Sequence, residues 1–138
     1  MAALTITPAD VLKSANGAQI TGVTAGASLT QGTPVYQDSQ DQKYKVATNA
    51  DTEAKAKVVG IAANAAEEGQ PLAIITQDAA LDIGATITEG VTYVLGNNGD
   101  IQPIADNIST EYVTILGVGT STANTINFRP FVTGTVTQ

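Results

Sequence analysis

The residue types that could carry chemistry are few. The chain contains no His and no Cys, so the commonest general bases, thiolate nucleophiles and transition-metal ligands are missing, and catalysis would have to rest on carboxylates, hydroxyls, Tyr or Lys. Glu67 and Glu68 are adjacent. On an extended strand they would point apart, whereas a paired-carboxylate hydrolase needs its two groups facing one another across a substrate. Asp38-x-x-Asp41 and Asn97-Asn98-Gly99-Asp100 offer the oxygen ligands that Ca²⁺ takes, but neither has EF-hand spacing and both read as turns. Gly117-Val118-Gly119-Thr120-Ser121 lacks the Gly-Lys-Ser/Thr ending of a phosphate loop. Glycine there is better explained by a close approach of two backbones. Tyr36, Tyr44, Tyr93 and Tyr112 could line a sugar-binding surface, but packing at half-buried strand positions is the favoured account. Asn107-Ile108-Ser109 matches the glycosylation sequon, a match that carries no weight without a secretory signal. These residues predict no enzyme, no cofactor and no metal site.

The elements that must position these residues are short β-strands separated by Gly, Asn, Asp and Pro. Strands are expected near 19–24, 34–37, 43–47, 57–63 and 71–76, then near 80–83, 91–95, 100–104, 112–119, 125–129 and 131–136. Asn97-Asn98-Gly99-Asp100 is the clearest hairpin signal, because Asn98 and Gly99 suit consecutive positive φ. A helical turn is expected within 49–56, with Asp51 or Thr52 as its cap and Glu53 four residues before Lys57.

A repeat organises the pattern. Gly26-Ala27-Ser28-Leu29-Thr30-Gln31-Gly32 returns as Gly84-Ala85-Thr86-Ile87-Thr88-Glu89-Gly90, 58 residues on. Val46-Ala47 and Asn49 recur as Ile104-Ala105 and Asn107, and Val58-Val59-Gly60-Ile61-Ala62 answers to Ile115-Leu116-Gly117-Val118-Gly119, with the offset at Gly60 and Gly117 now 57. Two copies are too few for a solenoid. The pattern predicts a mainly β fold, a compact antiparallel sandwich or barrel built from an internal duplication, with units at about 25–83 and 84–138. Gly26, Gly32, Gly84 and Gly90 would set the bends that open the two units, and Leu29 and Ile87 would be buried beneath them.

Residues 1–24 read as an N-terminal arm. Thr7-Pro8-Ala9-Asp10 starts a short helix of about two turns, with Thr7 as N-cap and Pro8 at the first helical position. Such a helix is too short to stand alone, so the arm either docks on another surface or packs on its own domain.

Composition narrows the function. The chain has 138 residues, enough for one domain, and its 43% apolar content leans on small side chains, with 4% aromatic residues and no Trp. Such a lean core gains from assembly. A formal charge of -7, from 6 Lys and Arg against 13 Asp and Glu, argues against nucleic acid as a ligand. No run approaches eighteen apolar residues, and the N-terminus lacks a basic region followed by an apolar one. A soluble chain without a signal peptide and without a membrane partner is expected.

The runs Gly26-Ala-Ser-Leu-Thr-Gln-Gly-Thr-Pro-Val-Tyr36, Tyr44-Lys-Val-Ala47, Lys57-Val-Val-Gly-Ile-Ala62 and Gly69-Gln-Pro-Leu-Ala-Ile74, continuing through Thr114-Ile-Leu-Gly-Val118, resemble small head-decoration proteins of tailed bacteriophages, the capsid cement or head-fibre-like proteins. The resemblance implies a non-enzymatic virion protein, made in the host cytoplasm. It would bind the major capsid protein on the capsid exterior, commonly as a homotrimer, and stabilise the shell. It also implies that the N-terminal segment contributes to shell contact, a role that falls on Leu4, Ile6, Val11 and Leu12. The alternative is a phage-borne adhesive module that touches a host receptor or glycan through the loop tips at 38–42 and 96–100.

Overall fold

The structure is a computed structural model that describes residues 3–108 and 110–136; Ser109 of the sequon match lies outside them. The chain is mainly β. Its strands are β1 (Val11–Leu12), β2 (Ala18–Thr24), β3 (Pro34–Gln37), β4 (Tyr44–Val46), β5 (Gly60–Ala62), β6 (Pro71–Ile83), β7 (Thr92–Leu95), β8 (Ile101–Pro103), β9 (Tyr112–Gly119) and β10 (Thr125–Val136). They form one antiparallel sheet in the order β4-β3-β5-β6-β10-β9-β7-β8, with β1 and β2 added along β6. The sheet curls into a half-barrel. A single curled sheet forms instead of two stacked ones because two long strands, β6 and β10, run through its centre and tie both halves together.

Two strand pairs expected from the sequence are each one continuous strand. The segments near 71–76 and 80–83 merge into β6, and those near 125–129 and 131–136 merge into β10 across a register shift between Phe128 and Phe131. Pro130 sits in that irregularity, where its missing N–H costs no ladder bond. The expected strand at 57–63 is confined to Gly60–Ala62, and the strand expected near 19–24 is present as β2, so this end of the arm is part of the sheet.

The N-terminal helix differs most from expectation. Pro8–Asp10 is a single 3₁₀ turn; the Thr7 side chain makes no cap bond, and Val11 is already extended at φ -73, ψ 120. The turn stops there because Val11 and Leu12 pair with Ile83 and Asp82 of β6. Backbone pairing to an existing strand satisfies groups that a two-turn helix would leave open.

Register and hydrogen bonding recur at the repeat offsets. Pro34 faces Ile61 and Val35 faces Gly60, as Thr92 faces Val118 and Tyr93 faces Gly117. The Thr33 amide donates to the Thr30 carbonyl, as Val91 does to Thr88; Gly32 donates to Ala62, as Gly90 does to Gly119. Gly60 and Gly117 are required by close approach: a Cβ on Gly60 would lie 2.5 Å from the Ile75 carbonyl oxygen, and one on Gly117 would collide with the Asn127 carbonyl.

The main core draws on both halves. Tyr36, Val58, Ile61 and Ile75 pack in one cluster with Leu81, Tyr93, Leu95, Leu116, Ile126 and Phe128. A second cluster, including Leu29, Val35, Tyr44, Leu72 and Ile74, lies within the first half. Leu29 is buried as expected, whereas Ile87 is only partly buried against the main cluster.

Candidate interaction surface

The arm is held by its backbone before any side chain is considered. The Leu4 amide donates to the Ile101 carbonyl of β8 at 2.7 Å, and the Thr7 amide donates to the Gly84 carbonyl at 2.9 Å. Leu4 therefore meets the outer edge of β8 at Ile101. The edge of β4 is met in a comparable way, where Gly26 donates to the Tyr44 carbonyl at 2.7 Å.

These bonds decide where the four expected contact residues go. Leu4 and Ile6 are partly buried against the main core, and Val11 is buried at 4% exposure. Only Leu12 faces outward, at 68% exposure. Three of the four side chains are thus taken up by the chain's own domain, because the lean core has room for them beside the turn at Gly32 and Gly84. Val11 shows how close that fit is: a Cβ on Gly32 would lie 2.8 Å from Val11 Cγ2.

A buried carboxylate fastens the next stretch. Asp78 of β6 is 1% exposed. It accepts hydrogen bonds from the Ser14 amide at 2.7 Å, the Ser14 hydroxyl at 2.5 Å and the Ala80 amide at 3.0 Å. Burial alone would raise its pKa, but the Ser14 and Ala80 hydrogen bonds, helped by Lys13, outweigh burial and hold it below the ordinary carboxylate value. Nothing in the sequence distinguishes Asp78 from the scattered surface acids; only the packing of the arm on β6 makes it special.

The turn residues behave as their types suggest. Gly32, Gly84, Gly90 and Gly99 have φ of 94°, 71°, 81° and 82°, and Asn98 has φ 50°. Gly26 does not need positive φ; it is pressed against Lys43 and Lys45. The hairpin tip at Asn98-Gly99 leans on the first half, since a Cβ on Gly99 would come within 2.8 Å of Thr33 Cγ2 and 3.0 Å of Val46 Cγ1. Close by, the buried Asn49 side chain donates to the Leu95 carbonyl at 3.0 Å and to Asn107 Oδ1 at 3.4 Å. The recurring asparagines therefore meet across the two halves.

The other tip, at 38–42, is organised by charge. Lys45 bridges Asp38 at 2.7 Å and Asp41 at 3.2 Å, and its hydrogen bond to Asp38, then that to Asp41, raises its pKa to about 12. The helical turn beyond it is the 3₁₀ segment Ala54–Ala56, whose N-cap is Glu53, with no side-chain cap bond, and not the expected Asp51 or Thr52; Thr52 Oγ1 accepts only a long 3.4 Å bond from the Lys55 amide. The ion pair on this turn is Asp51 with Lys55 at 2.6 Å, not the expected Glu53 with Lys57. Between tip and turn lies an open cleft of about 600 Å³ lined by Tyr36, Gln37, Gln40, Lys55 and Lys57 among others.

Among the described residues no group of three or more Asp or Glu side chains could hold a metal ion, and no helix is long and apolar enough to cross a membrane. No known protein family matches the chain, and no curated protein is significantly similar to it.

Proposed function

We propose that this chain is a non-enzymatic structural protein of a phage virion, made in the host cytoplasm, that binds the major capsid protein on the outer face of the shell, associates with itself as a homotrimer, and stabilises the shell. The observation that carries the reading is where the resembling runs fall. Gly26 to Tyr36, Tyr44 to Ala47, Lys57 to Ala62 and Gly69 to Ile74 make up β3, β4, β5 and the start of β6, a connected half of the sheet. The finer architecture belongs to the same proposal. Two related units, about 25–83 and 84–138, are supported by the recurring register around Gly60 and Gly117 and by the palindromic order of strands about β6 and β10. The mechanism is mass action over many sites: binding the intact lattice and not its ruptured form shifts the balance toward the intact shell.

Shell contact through the arm is assigned to Leu12, since Leu4, Ile6 and Val11 are engaged at home. Co-sedimentation with purified phage heads tests both statements. The chain should pellet with heads, and Leu12→Asp should lower its affinity at least ~10-fold, the effect of losing one desolvated apolar anchor. Failure of the wild-type chain to pellet overturns the function; full binding by Leu12→Asp moves the contact away from the arm.

The adhesive reading is favoured by one feature, the cleft under the tip at 38–42, whose aromatic and polar lining suits a saccharide. Glycan-array binding that is lost on replacing Lys57 with Glu would favour it over shell binding.

A further inference from the structure

Two of the longer strands, β2 and the end of β10, keep an edge without a strand partner among the described residues. β2 pairs along one side with β6, and residues 131–136 of β10 pair along one side with β9. Both are exposed to a degree that a half-buried strand is not. Ala18 through Gly22 is exposed at every position, hence on both faces, with Ile20 at 40%; in β10, Phe131 is 61% exposed and Gly134 and Thr135 are exposed.

The two strands also resemble one another. Ile20-Thr21-Gly22-Val23-Thr24 and Val132-Thr133-Gly134-Thr135-Val136 share a Thr-Gly centre. Gly22 and Gly134 have φ of 78° and 73°, a Cβ on either would meet nothing within 4 Å, and each lies in a register shift of its ladder. The strands therefore carry matching kinks.

Charge is one of the devices by which natural proteins guard open edges. Here there is none: no acidic or basic residue occurs from Ser14 to Gln37, or beyond Arg129. Copies that each carry a formal charge of -7 repel one another over much of their surface, and these two tracts add no like charge of their own to a contact. The short outer edges of β4 and β8, by contrast, each already accept a backbone hydrogen bond from the same chain, from Gly26 and Leu4.

We propose that β2 of one copy pairs with residues 131–136 of β10 in the next, head to tail. The proposal specifies the self-contact expected of the shell protein, and rests on that reading for the expectation of self-association. Head-to-tail pairing uses both open edges of every copy and closes into a ring when the rotation allows; self-pairing of either strand would leave the other edge open.

Analytical ultracentrifugation of the full chain, of Ile20→Glu and of Thr135→Glu tests it. Both substitutions fall at exposed positions, and a circular-dichroism melt checks the fold. Should either lose its cooperative melt, Gln19→Glu or Phe131→Glu replaces it on the same edge. The wild-type chain is expected to sediment as a multiple of 14.0 kDa and each variant as a monomer. An equal mixture of the two variants should form a dimer, because one intact junction remains. A wild-type monomer at about 100 μM, a single variant that still assembles, or a mixture that stays monomeric overturns the proposal. Head co-sedimentation separates the two readings: a monomer that coats heads refutes the strand pairing and leaves shell binding standing, while an assembled chain that ignores heads does the reverse.

Discussion

Asp78 shows how one residue acquires a role from its surroundings. Its carboxylate is buried yet ionised, because three donors replace the water it gave up. Asp78→Asn sets an amide donor against a backbone donor, either the Ser14 amide at the Oδ2 position or the Ala80 amide at the Oδ1 position, and is expected to cost ~1.5–3 kcal/mol in chemical denaturation. The pH dependence follows from the lowered pKa. A carboxyl whose folded pKa lies below its unfolded value contributes fully above the unfolded value and loses that contribution as pH falls through the folded one. Wild-type stability should therefore drop as pH falls below ~4, and the drop should be shallower in Asp78→Asn. Equal acid slopes in the two proteins would show that Asp78 is not the linked group.

At the scale of elements, β6 is the strand on which the rest is hung: β1, β2, β5 and β10 all pair with it. The arm is one of its clients. Deleting residues 1–12 removes the buried Val11, the partly buried Leu4 and Ile6, and the edge bonds to Ile101 and Gly84. Buried aliphatic side chains contribute ~1.5–3 kcal/mol each, so the truncated chain is expected to melt more than ~10 °C lower. A truncation that melts with the full chain would mean that the arm is an independent appendage, free to bind elsewhere. The distinction matters for shell binding, since removing the arm tests stability and contact together, whereas Leu12→Asp tests contact alone.

For the whole molecule, the decisive fact is that the main core belongs to neither half. Phe128, Leu116 and Tyr93 share a cluster with Ile61, Ile75 and Val58, and Thr114 donates its hydroxyl to the Ala56 carbonyl at 2.5 Å. Cutting the chain into residues 1–83 and 84–138 divides that cluster. Each fragment alone is expected to lack a cooperative melt, and mixing them should restore one. A cooperative transition in either fragment alone would show that the halves are separable domains. The two halves share one core, and folding is expected to be one event.

Much of the layout was legible in the residues. β-branched runs broken by Gly, Asn and Pro mark the strands, and Asn98-Gly99 marks its hairpin, because these residue types restrict local backbone conformation wherever they occur. The glycines at Gly60 and Gly117 were legible as close approaches for the same reason. The strand ends were less so: β6 and β10 each join two expected strands, since pairing partners on either side can carry a strand through residues that look like a break. At Thr7-Pro8 a local helix signal loses to the open edge of β6, and the burial of Leu4, Ile6 and Val11 against the core leaves no mark in the local pattern. Local conformation is a property of short stretches, so the sequence by itself determined a mainly β chain and the residues at its turns. Only the tertiary structure decided which carboxylate is buried, which of four apolar arm residues stays exposed, and which two strand edges remain open. Those depend on what residues far apart in the chain leave for one another.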